Sequence, residues 1–209
     1  MRKFSEDELA NISAKTIADY SSRTSSFWHG TKDHDVSQNI EALLKYVGLE
    51  SGANILDFGC GPGRDLVDFR ARGHNPIGLD GCETFCDMAR TVSGCEVLHQ
   101  DFLRLNLPES FFHGVFANAT MFHVPMAEMR NLLRVVHSCL VPGGVLLCSN
   151  PRGDNVEVFK GDRYCAFYEL EHWQGLLSNS GFELLEHYYR PVDLPKSQQP
   201  WLVTVWRRI

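Results

Sequence analysis

The chain has 209 residues, of which 44% are hydrophobic and 22% are charged. These are average values for a globular protein, so composition gives no support to a disordered or fibrous chain, and the length suits one domain. The formal net charge of -6 offers no attractive field to a polyanion, and no run of basic residues exceeds the pair Arg207 and Arg208. We therefore expect a small-molecule partner and not a nucleic acid.

The N-terminal residues indicate the compartment of the protein, and the spacing of the cysteines indicates the state of its thiols. Residues 1–11 mix charged and polar side chains, which predicts no signal peptide, and no apolar window approaches the length of a membrane span. We expect a cytoplasmic protein without membrane contact. The seven Cys are scattered without a C-x-x-C pair, and although Cys82 and Cys86 lie one helical turn apart, structural zinc needs four convergent ligands. The sequence predicts reduced thiols and no metal.

The first fifty residues carry helical patterns. Apolar side chains at helical spacing predict a helix over residues 6–20 and a second one over about 36–47, which Gly48 ends. A Ser/Thr-rich linker is predicted between them, over residues 21–26. We expect the first helix to lie across the rest of the domain.

From residue 53 onward, short apolar runs alternate with helical patterns. Strands are predicted at 54–58, 76–79, 96–99, 115–118 and 145–149, and helices at 65–71, 84–92 and 128–140. This alternation is typical of a parallel sheet with crossover helices. A helix at 170–180 and two strands at 182–190 and 201–207 follow, and the adjacent strands predict an antiparallel edge. No repeat or change of composition divides the chain, so we predict one domain over residues 1–209.

A glycine cluster joins the first predicted strand to its helix. Its candidate ligand-binding residues are Asp57, Gly59, Cys60, Gly61, Gly63 and Arg64. The spacing G-x-G-x-G lacks the later glycine of the dinucleotide fingerprint, and Asp57 would repel a pyrophosphate at this strand end. The loop therefore suits the cation of an amino acid better, which disfavours a dehydrogenase.

Two further acids end the next two predicted strands. Asp80, followed by Gly81, lies about twenty residues after the loop, where a carboxylate can accept both hydroxyls of a ribose. Asp101 ends the third strand and is suited to the exocyclic amine of an adenine, with Phe102 as an apolar cover for the ring. Three acids at three successive strand ends predict a nucleoside site.

The run from Leu56 to Gly63, with Asp80 and Asp101 in order, resembles the class I S-adenosylmethionine-dependent methyltransferases. The resemblance spans nearly the whole chain. It implies an α/β, Rossmann-like fold with a mostly parallel seven-stranded sheet and an antiparallel edge strand, in which residues 1–50 form a helical lid over a core of residues 51–209. It also implies that S-adenosyl-L-methionine is the cofactor, with its methionine part in the glycine loop, its ribose on Asp80 and its adenine on Asp101.

The stretch after the fourth predicted strand faces the methyl donor in similar methyltransferases. It contains Asn118, a candidate cofactor contact, and His123, and it lacks the N-P-P-Y run of enzymes that methylate nucleic-acid amines. His123 could act as a general base or anchor the acceptor, because its ordinary pKa lies near neutrality, or it could order the loop through a backbone hydrogen bond. Both roles stay open. Methyl transfer from a sulfonium is an in-line displacement, so the chemistry requires no metal.

Four segments, at residues 27–39, 57–66, 149–153 and 187–191, resemble the methyltransferase module of ovothiol biosynthesis. That module methylates an imidazole nitrogen of 5-thiohistidine and often ends a longer sulfoxide synthase; without a synthase portion here, we expect a stand-alone enzyme that relies on a separate synthase and lyase. The predicted substrate-binding residues are Trp28, His34, Asp35, Gln38, Asn150, Arg152, Tyr164 and Tyr189.

Several alternatives remain at these positions. Asp35 could instead cap the second helix, and Arg152 or Arg163 could clamp a carboxylate or stay solvated. A methyltransferase for another small molecule would share every cofactor residue, and a binding protein without turnover would also keep the loop.

Overall fold

The computed structural model describes residues 3–209; residues 1 and 2, at the start of the segment predicted to contain no signal peptide, lie outside the described part. Helix α1 (Glu6–Ser21) begins with a capping box, in which the Ser5 Oγ accepts from the Glu8 N–H at 3.2 Å and the Glu8 carboxylate accepts from the Ser5 N–H at 2.8 Å. Helix α3 (Ser37–Val47) ends at Gly48, whose φ of 70° is the left-handed conformation expected of a helix C-terminus.

A helix that the sequence did not predict lies between them. Helix α2 (Thr24–Thr31) covers part of the expected linker, although its own residues have little helical propensity. Tertiary contacts account for the difference, because the Phe27 ring lies 5.5 Å from Tyr20 and 5.1 Å from Phe85, centroid to centroid. Packing therefore overrides the local composition.

In the described part of the chain, nine strands and four more α-helices follow. The strands are β1 (Asn54–Phe58), β2 (Asn75–Asp80), β3 (Val97–His99), β4 (Phe112–Asn118), β5 (Leu140–Pro151), β6 (Glu157–Lys160), β7 (Arg163–Ala166), β8 (Phe182–Arg190) and β9 (Trp201–Arg208). The helices are α4 (Arg64–Ala71), α5 (Glu83–Ser93), α6 (Met129–Cys139) and α7 (Leu170–Ser178).

Seven of the strands form one sheet in the order β3-β2-β1-β4-β5-β9-β8. The first five are parallel, and β9 runs antiparallel to both β5 and β8. This is the Rossmann-like methyltransferase fold that the sequence predicts. Strands β6 and β7 form a separate hairpin that the sequence did not predict, since four-residue strands give too short an alternation to detect.

The sheet positions the site because both of its faces are covered. Alternate residues of β4 and β5 point to opposite sides: Val115 and Leu146 belong to the core beneath α6 and α7, whereas Phe116 and Leu147 belong to the core beneath α3. With both faces closed, the carboxyl ends of β1, β2, β3 and β4 form the edge that is open to a ligand.

The described residues also bear on metal and membrane binding. Within residues 3–209, no group of three or more His, Cys, Asp or Glu is arranged to hold a metal ion, and all seven Cys are free. None of the described helices combines the length and the apolar character needed to cross a bilayer.

Candidate functional site

Two adjoining cavities lie at the carboxyl edge of the sheet. The inner cavity, of about 90 Å³, lies between α1 and the ends of β2, β3 and β4. The outer cavity, of about 490 Å³, lies between α2, the glycine loop and the ends of β5, β8 and β9. They share four lining residues: Phe27, Gly59, Gly61 and Ala119. A ligand that crosses this junction would contact both the acids of the inner cavity and the mixed surface of the outer one.

The glycine loop connects β1 to α4 and lines both cavities. A Cβ built on Gly61 would have a single neighbour within 4 Å, the Phe27 Cε1 atom at 3.6 Å, so the loop backbone is open to the junction. The N–H of Gly61 donates to Asp80 Oδ2 at 2.9 Å. The loop can therefore approach a ligand closely while the carboxylate at the end of β2 fixes its position.

Asp57 lies beneath this loop at the end of β1. It is 2% exposed, and its Oδ2 atom is buried without a hydrogen-bond partner among residues 3–209. Burial, and then the neighbouring charge of Asp65, raise the pKa of Asp57 well above its ordinary value. Asp57 lines neither cavity, although it lies under the loop that is predicted to hold the methionine moiety.

Asp80 and Asp101 both line the inner cavity, together with Gly81 and Phe102. Burial raises the pKa of Asp80 to about 6, although its oxygens accept from the N–H groups of Gly61 and Cys82 at 2.9 and 2.8 Å. Asp101 Oδ1 accepts from the Leu103 N–H at 2.9 Å, and the second oxygen has no hydrogen-bond partner among residues 3–209. The structure thus brings together the two acids predicted to hold a ribose and an adenine.

Arg64 and Cys60 line the outer cavity on the loop side. The Arg64 guanidinium binds both oxygens of Asp65, at 2.6 and 2.9 Å, and donates to the Thr31 carbonyl at 2.8 Å, which ties α4 to α2. Cys60 is 8% exposed, and burial raises the pKa of its thiol well above the ordinary value. Gly63 lies outside both cavities, where it packs against α5.

His123 lines the inner cavity with both ring nitrogens engaged. Its Nδ1 lies 2.7 Å from the Tyr164 carbonyl, which can only accept, so Nδ1 carries the proton and Nε2 accepts from the Tyr20 hydroxyl at 2.8 Å. Burial lowers the pKa of His123 to about 4. Of the two roles left open by the sequence, this geometry favours the structural one, in which a neutral imidazole joins α1 to β7.

The pKa of His123 predicts how stability depends on pH. The unfolded chain binds a proton at this histidine below about pH 6.5, whereas the folded chain does so only below about 4, so the folded state loses stability as pH falls through this window. At pH 4.5 we expect the loss to be about 2 to 3 kcal/mol. His123→Gln has no imidazole to protonate. Its free energy of unfolding, measured with urea, should therefore fall less between pH 7 and pH 4.5 than that of the wild type. A pH-independent difference would contradict the assignment.

Asn118 ends β4 at the outer cavity and belongs to a chain of hydrogen bonds. Its Oδ1 accepts from the Asn39 side chain at 2.9 Å, and the Asn39 Oδ1 accepts from the Tyr188 hydroxyl at 2.9 Å. The amide nitrogen of Asn118 remains available to a ligand. Ala119 follows in a left-handed conformation, with φ of 59°, which a non-glycine residue adopts at a cost in energy and which is frequent at functional sites.

The predicted acceptor residues divide into two groups. Trp28, His34 and Asp35 line the outer cavity, as predicted contacts should. Five others line neither cavity: Gln38, Asn150, Arg152, Tyr164 and Tyr189. The substrate roles of all eight remain predictions, and the local contacts of the second group explain why they lie apart.

Each member of that second group belongs to another part of the fold. Gln38 lies in the first turn of α3, and Asn150 is fully buried in β5. The Arg152 guanidinium lies 5.3 Å from the ring centroid of Tyr189, and the two form a cation–π pair. The Tyr164 hydroxyl bonds to Glu157 and to the Met126 N–H.

Sequence reasoning missed several cavity residues. The inner cavity is also lined by Thr16 and Tyr20 of α1 and by Phe85 of α5. The outer cavity is also lined by Arg190 of β8 and Trp201 of β9. The helical spacing of α1 predicted its buried face but not what that face covers. The segment 187–191 was singled out by its resemblance, but Arg190 and Trp201 were not predicted as site residues, because pairing between distant segments decides which strand ends reach the site.

The residues described above fit S-adenosyl-L-methionine. Asp57 Oδ2 has no hydrogen-bond partner among residues 3–209, the backbone at Gly61 is open, and two acids stand where a nucleoside needs acceptors. The cavities adjoin, so one extended molecule can contact the glycine loop and both of these acids.

Known proteins provide an independent comparison. Residues 55–144 match the family described as Methyltransferase domain. A sterol 24-C-methyltransferase of Gibberella zeae is 25% identical over 182 residues, covering 74% of this chain and 46% of the relative. A trans-aconitate 2-methyltransferase of an Azoarcus species is 33% identical over 112 residues, covering 53% of this chain and 44% of the relative. The chain thus spans about half the length of these relatives.

Among solved structures, a 1,6-didemethyltoxoflavin-N1-methyltransferase of Burkholderia thailandensis, crystallised with 1,6-didemethyltoxoflavin and S-adenosylhomocysteine, superposes with a TM-score of 0.80. The match covers 100% of this chain and 92% of that protein at 20% identity, and at that identity it shows a shared fold. The matched domain contains the glycine loop and both acids, and the fold is the Rossmann-like fold of S-adenosylmethionine-dependent methyltransferases.

Proposed function

We propose that the chain transfers a methyl group from S-adenosyl-L-methionine to a ring nitrogen of a small heteroaromatic molecule, with an imidazole nitrogen of 5-thiohistidine as the acceptor. The observation that carries the proposal is the junction of the two cavities at Gly59, Gly61 and Ala119. A cofactor held by Asp80 and the glycine loop would present its methyl group there. The outer cavity would hold the acceptor.

The chain's own residues would act by binding, orientation and exclusion of water. When bound, the cofactor supplies an electrophilic methyl group on a sulfonium, and its thioether is the leaving group. Asn118 would orient the acceptor through its free amide nitrogen, since its oxygen is held by Asn39. Phe27 covers the junction and Trp28 and Trp201 line the outer cavity, so the displacement would occur in a largely apolar enclosure. A neutral imidazole is itself a competent nucleophile and needs no general base for the attack.

Two observations support a heteroaromatic acceptor. The outer cavity combines indole rings with polar groups, a surface that suits a flat polar ring. The toxoflavin relative is named for methylation at N1 of its substrate, which is a nitrogen acceptor. The choice of 5-thiohistidine rests on the resemblance of residues 27–39, 57–66, 149–153 and 187–191 to the ovothiol module. The alternatives are another small acceptor and cofactor binding without turnover.

The test is incubation of the purified chain with S-adenosyl-L-methionine and either 5-thiohistidine or histidine, followed by mass spectrometry. We expect 5-thiohistidine to gain one methyl group and calorimetry to show cofactor binding without an acceptor. The matched control is Asp80→Asn, which should lose both signals. Cofactor binding without methylation of either compound would remove the 5-thiohistidine assignment, and a wider acceptor screen would then separate another acceptor from a protein without turnover.

A further inference from the structure

Two arginines line the outer cavity, and only one of them is bound to a carboxylate. Arg64 is neutralised by the two hydrogen bonds to Asp65 and uses a third N–H on the Thr31 carbonyl. Arg190, at the end of β8, makes one hydrogen bond, from Nη2 to the Asp35 carbonyl at 2.9 Å, and has no ion pair among residues 3–209. Its remaining N–H groups and its full charge are available to an anion.

Arg190 is too far from the glycine loop to serve the cofactor's methionine part. Strand β8 lies four positions from β1 across the sheet, and at about 4.8 Å per strand the two backbones are about 19 Å apart. Both strands end at the same edge, because β8 is antiparallel to β9, which is antiparallel to β5. Arg190 therefore lies at the acceptor end of the outer cavity, beyond Trp201.

A carboxylate stands beside this arginine. Asp35 also lines the outer cavity, its side chain is exposed, and its Oδ1 accepts from the Ser37 N–H at 2.9 Å. Hydrogen bonding to the side chain and then to the N–H of Ser37, with a smaller effect of the charge of Arg190, lowers the pKa of Asp35, so the group is ionised at neutral pH. The two side chains do not form an ion pair with each other, although their residues share a hydrogen bond. An anion receptor and a cation receptor thus stand side by side and unpaired.

We propose that Arg190 and Asp35 recognise the zwitterionic head group of an α-amino acid acceptor, with Arg190 binding the carboxylate and Asp35 the ammonium. The inference rests on the proposed methyl transfer and adds the feature that selects the acceptor. Held at this end, the head group directs the side-chain ring toward Ala119 and the methyl group. Arg190 and Asp35 are specificity-determining residues and take no part in the displacement itself.

The test compares 5-thiohistidine with 5-thiohistamine, which lacks the α-carboxylate, in the wild type, Arg190→Gln, Asp35→Asn and the control Arg130→Gln on the exposed face of α6. Loss of a charge-assisted hydrogen bond predicts a KM for 5-thiohistidine raised about ten- to a hundredfold in Arg190→Gln, with the Kd for S-adenosyl-L-methionine unchanged. For 5-thiohistamine, Arg190→Gln and the wild type should have equal KM values. Arg190→Lys, which keeps the charge, should recover part of the loss.

The outcomes separate the two proposals. If the wild type methylates 5-thiohistamine as efficiently as 5-thiohistidine, methyl transfer stands and the head-group site is wrong. If Arg190→Gln raises the KM for both compounds equally, the arginine acts through the fold of the cavity wall and the inference also fails. A larger Kd for S-adenosyl-L-methionine in Arg190→Gln would show that Arg190 binds the cofactor and not the acceptor, and would overturn the assignment. Absence of methylation of any compound by the wild type would overturn the proposed function and this inference together.

Discussion

Asp80→Ala is expected to weaken the binding of S-adenosyl-L-methionine by about a hundredfold or more, equivalent to about 2.7 kcal/mol. The substitution removes the carboxylate predicted to accept both ribose hydroxyls. It also leaves the N–H groups of Gly61 and Cys82 without their acceptor, so the glycine loop loses its attachment to the end of β2. Calorimetric titration at pH 8, where a group with a pKa of about 6 is ionised, measures the effect.

The controls for this experiment address folding and charge. Burial raises the folded-state pKa of Asp80 from its ordinary value to about 6, so stability falls as the pH rises from about 4 to about 6. Asp80→Asn removes that cost at pH 8 but keeps only one oxygen to accept from the N–H groups of Gly61 and Cys82, so its stability should be close to that of the wild type. Its cofactor affinity should nevertheless fall. Asp87→Ala, on the exposed side of α5, changes the net charge equally and should leave the affinity unaltered. Equal cofactor affinity in Asp80→Ala and the wild type would overturn the site.

Gly63→Ala should destabilise the fold by about 3 kcal/mol or more. A Cβ on Gly63 would lie 2.7 Å from the Cα and 2.9 Å from the Cβ of Ala89 in α5. These atoms belong to a packed helix and cannot turn aside as a flexible side chain would. The φ of 91° adds conformational strain for any residue with a side chain. The free energy of unfolding in urea measures the loss.

Two other glycines provide matched controls. Gly48 has a similar positive φ of 70°, but a Cβ at this position would have nothing within 4 Å, so Gly48→Ala isolates the backbone strain, about 1 kcal/mol. Gly175 lies inside α7 with open space around it, and Gly175→Ala should stabilise the helix by about 1 kcal/mol or less. If Gly63→Ala cost no more than Gly48→Ala, the close packing of α4 on α5 would be disproved.

The sequence predicted best what adjacent residues decide. The limits of β1 and β8 were predicted to the residue, because β1 is a buried apolar run that Gly59 ends and β8 is bounded by Gly181 and Pro191. Asp80 and Asp101 could be assigned to strand ends because, in a parallel sheet, the strand pattern alone places them at one edge. The order of the motifs along the chain was therefore enough to predict one half of the site.

The other half depends on contacts between distant segments. Trp201 and Arg190 reach the outer cavity only because β9 inserts between β5 and β8. The pairing of Tyr20 with His123 spans 103 residues, and no local pattern indicates it. Tyr164 was predicted to bind the substrate, and the hairpin of β6 and β7 buries it against α1. The positions of these residues depend on packing between segments that are far apart in the sequence, and a local sequence pattern does not reveal such packing.

The burial of Cys60 would have a chemical consequence for a protein that binds an alkylating agent, as we propose for this chain. A thiolate in the glycine loop would be a stronger nucleophile than an imidazole, and it would compete for the methyl group by forming an S-methyl adduct. Burial and the negative charges of Asp57 and Asp80 keep this thiol protonated at neutral pH. The same acidic environment that attracts a cationic donor thus protects the loop from self-alkylation.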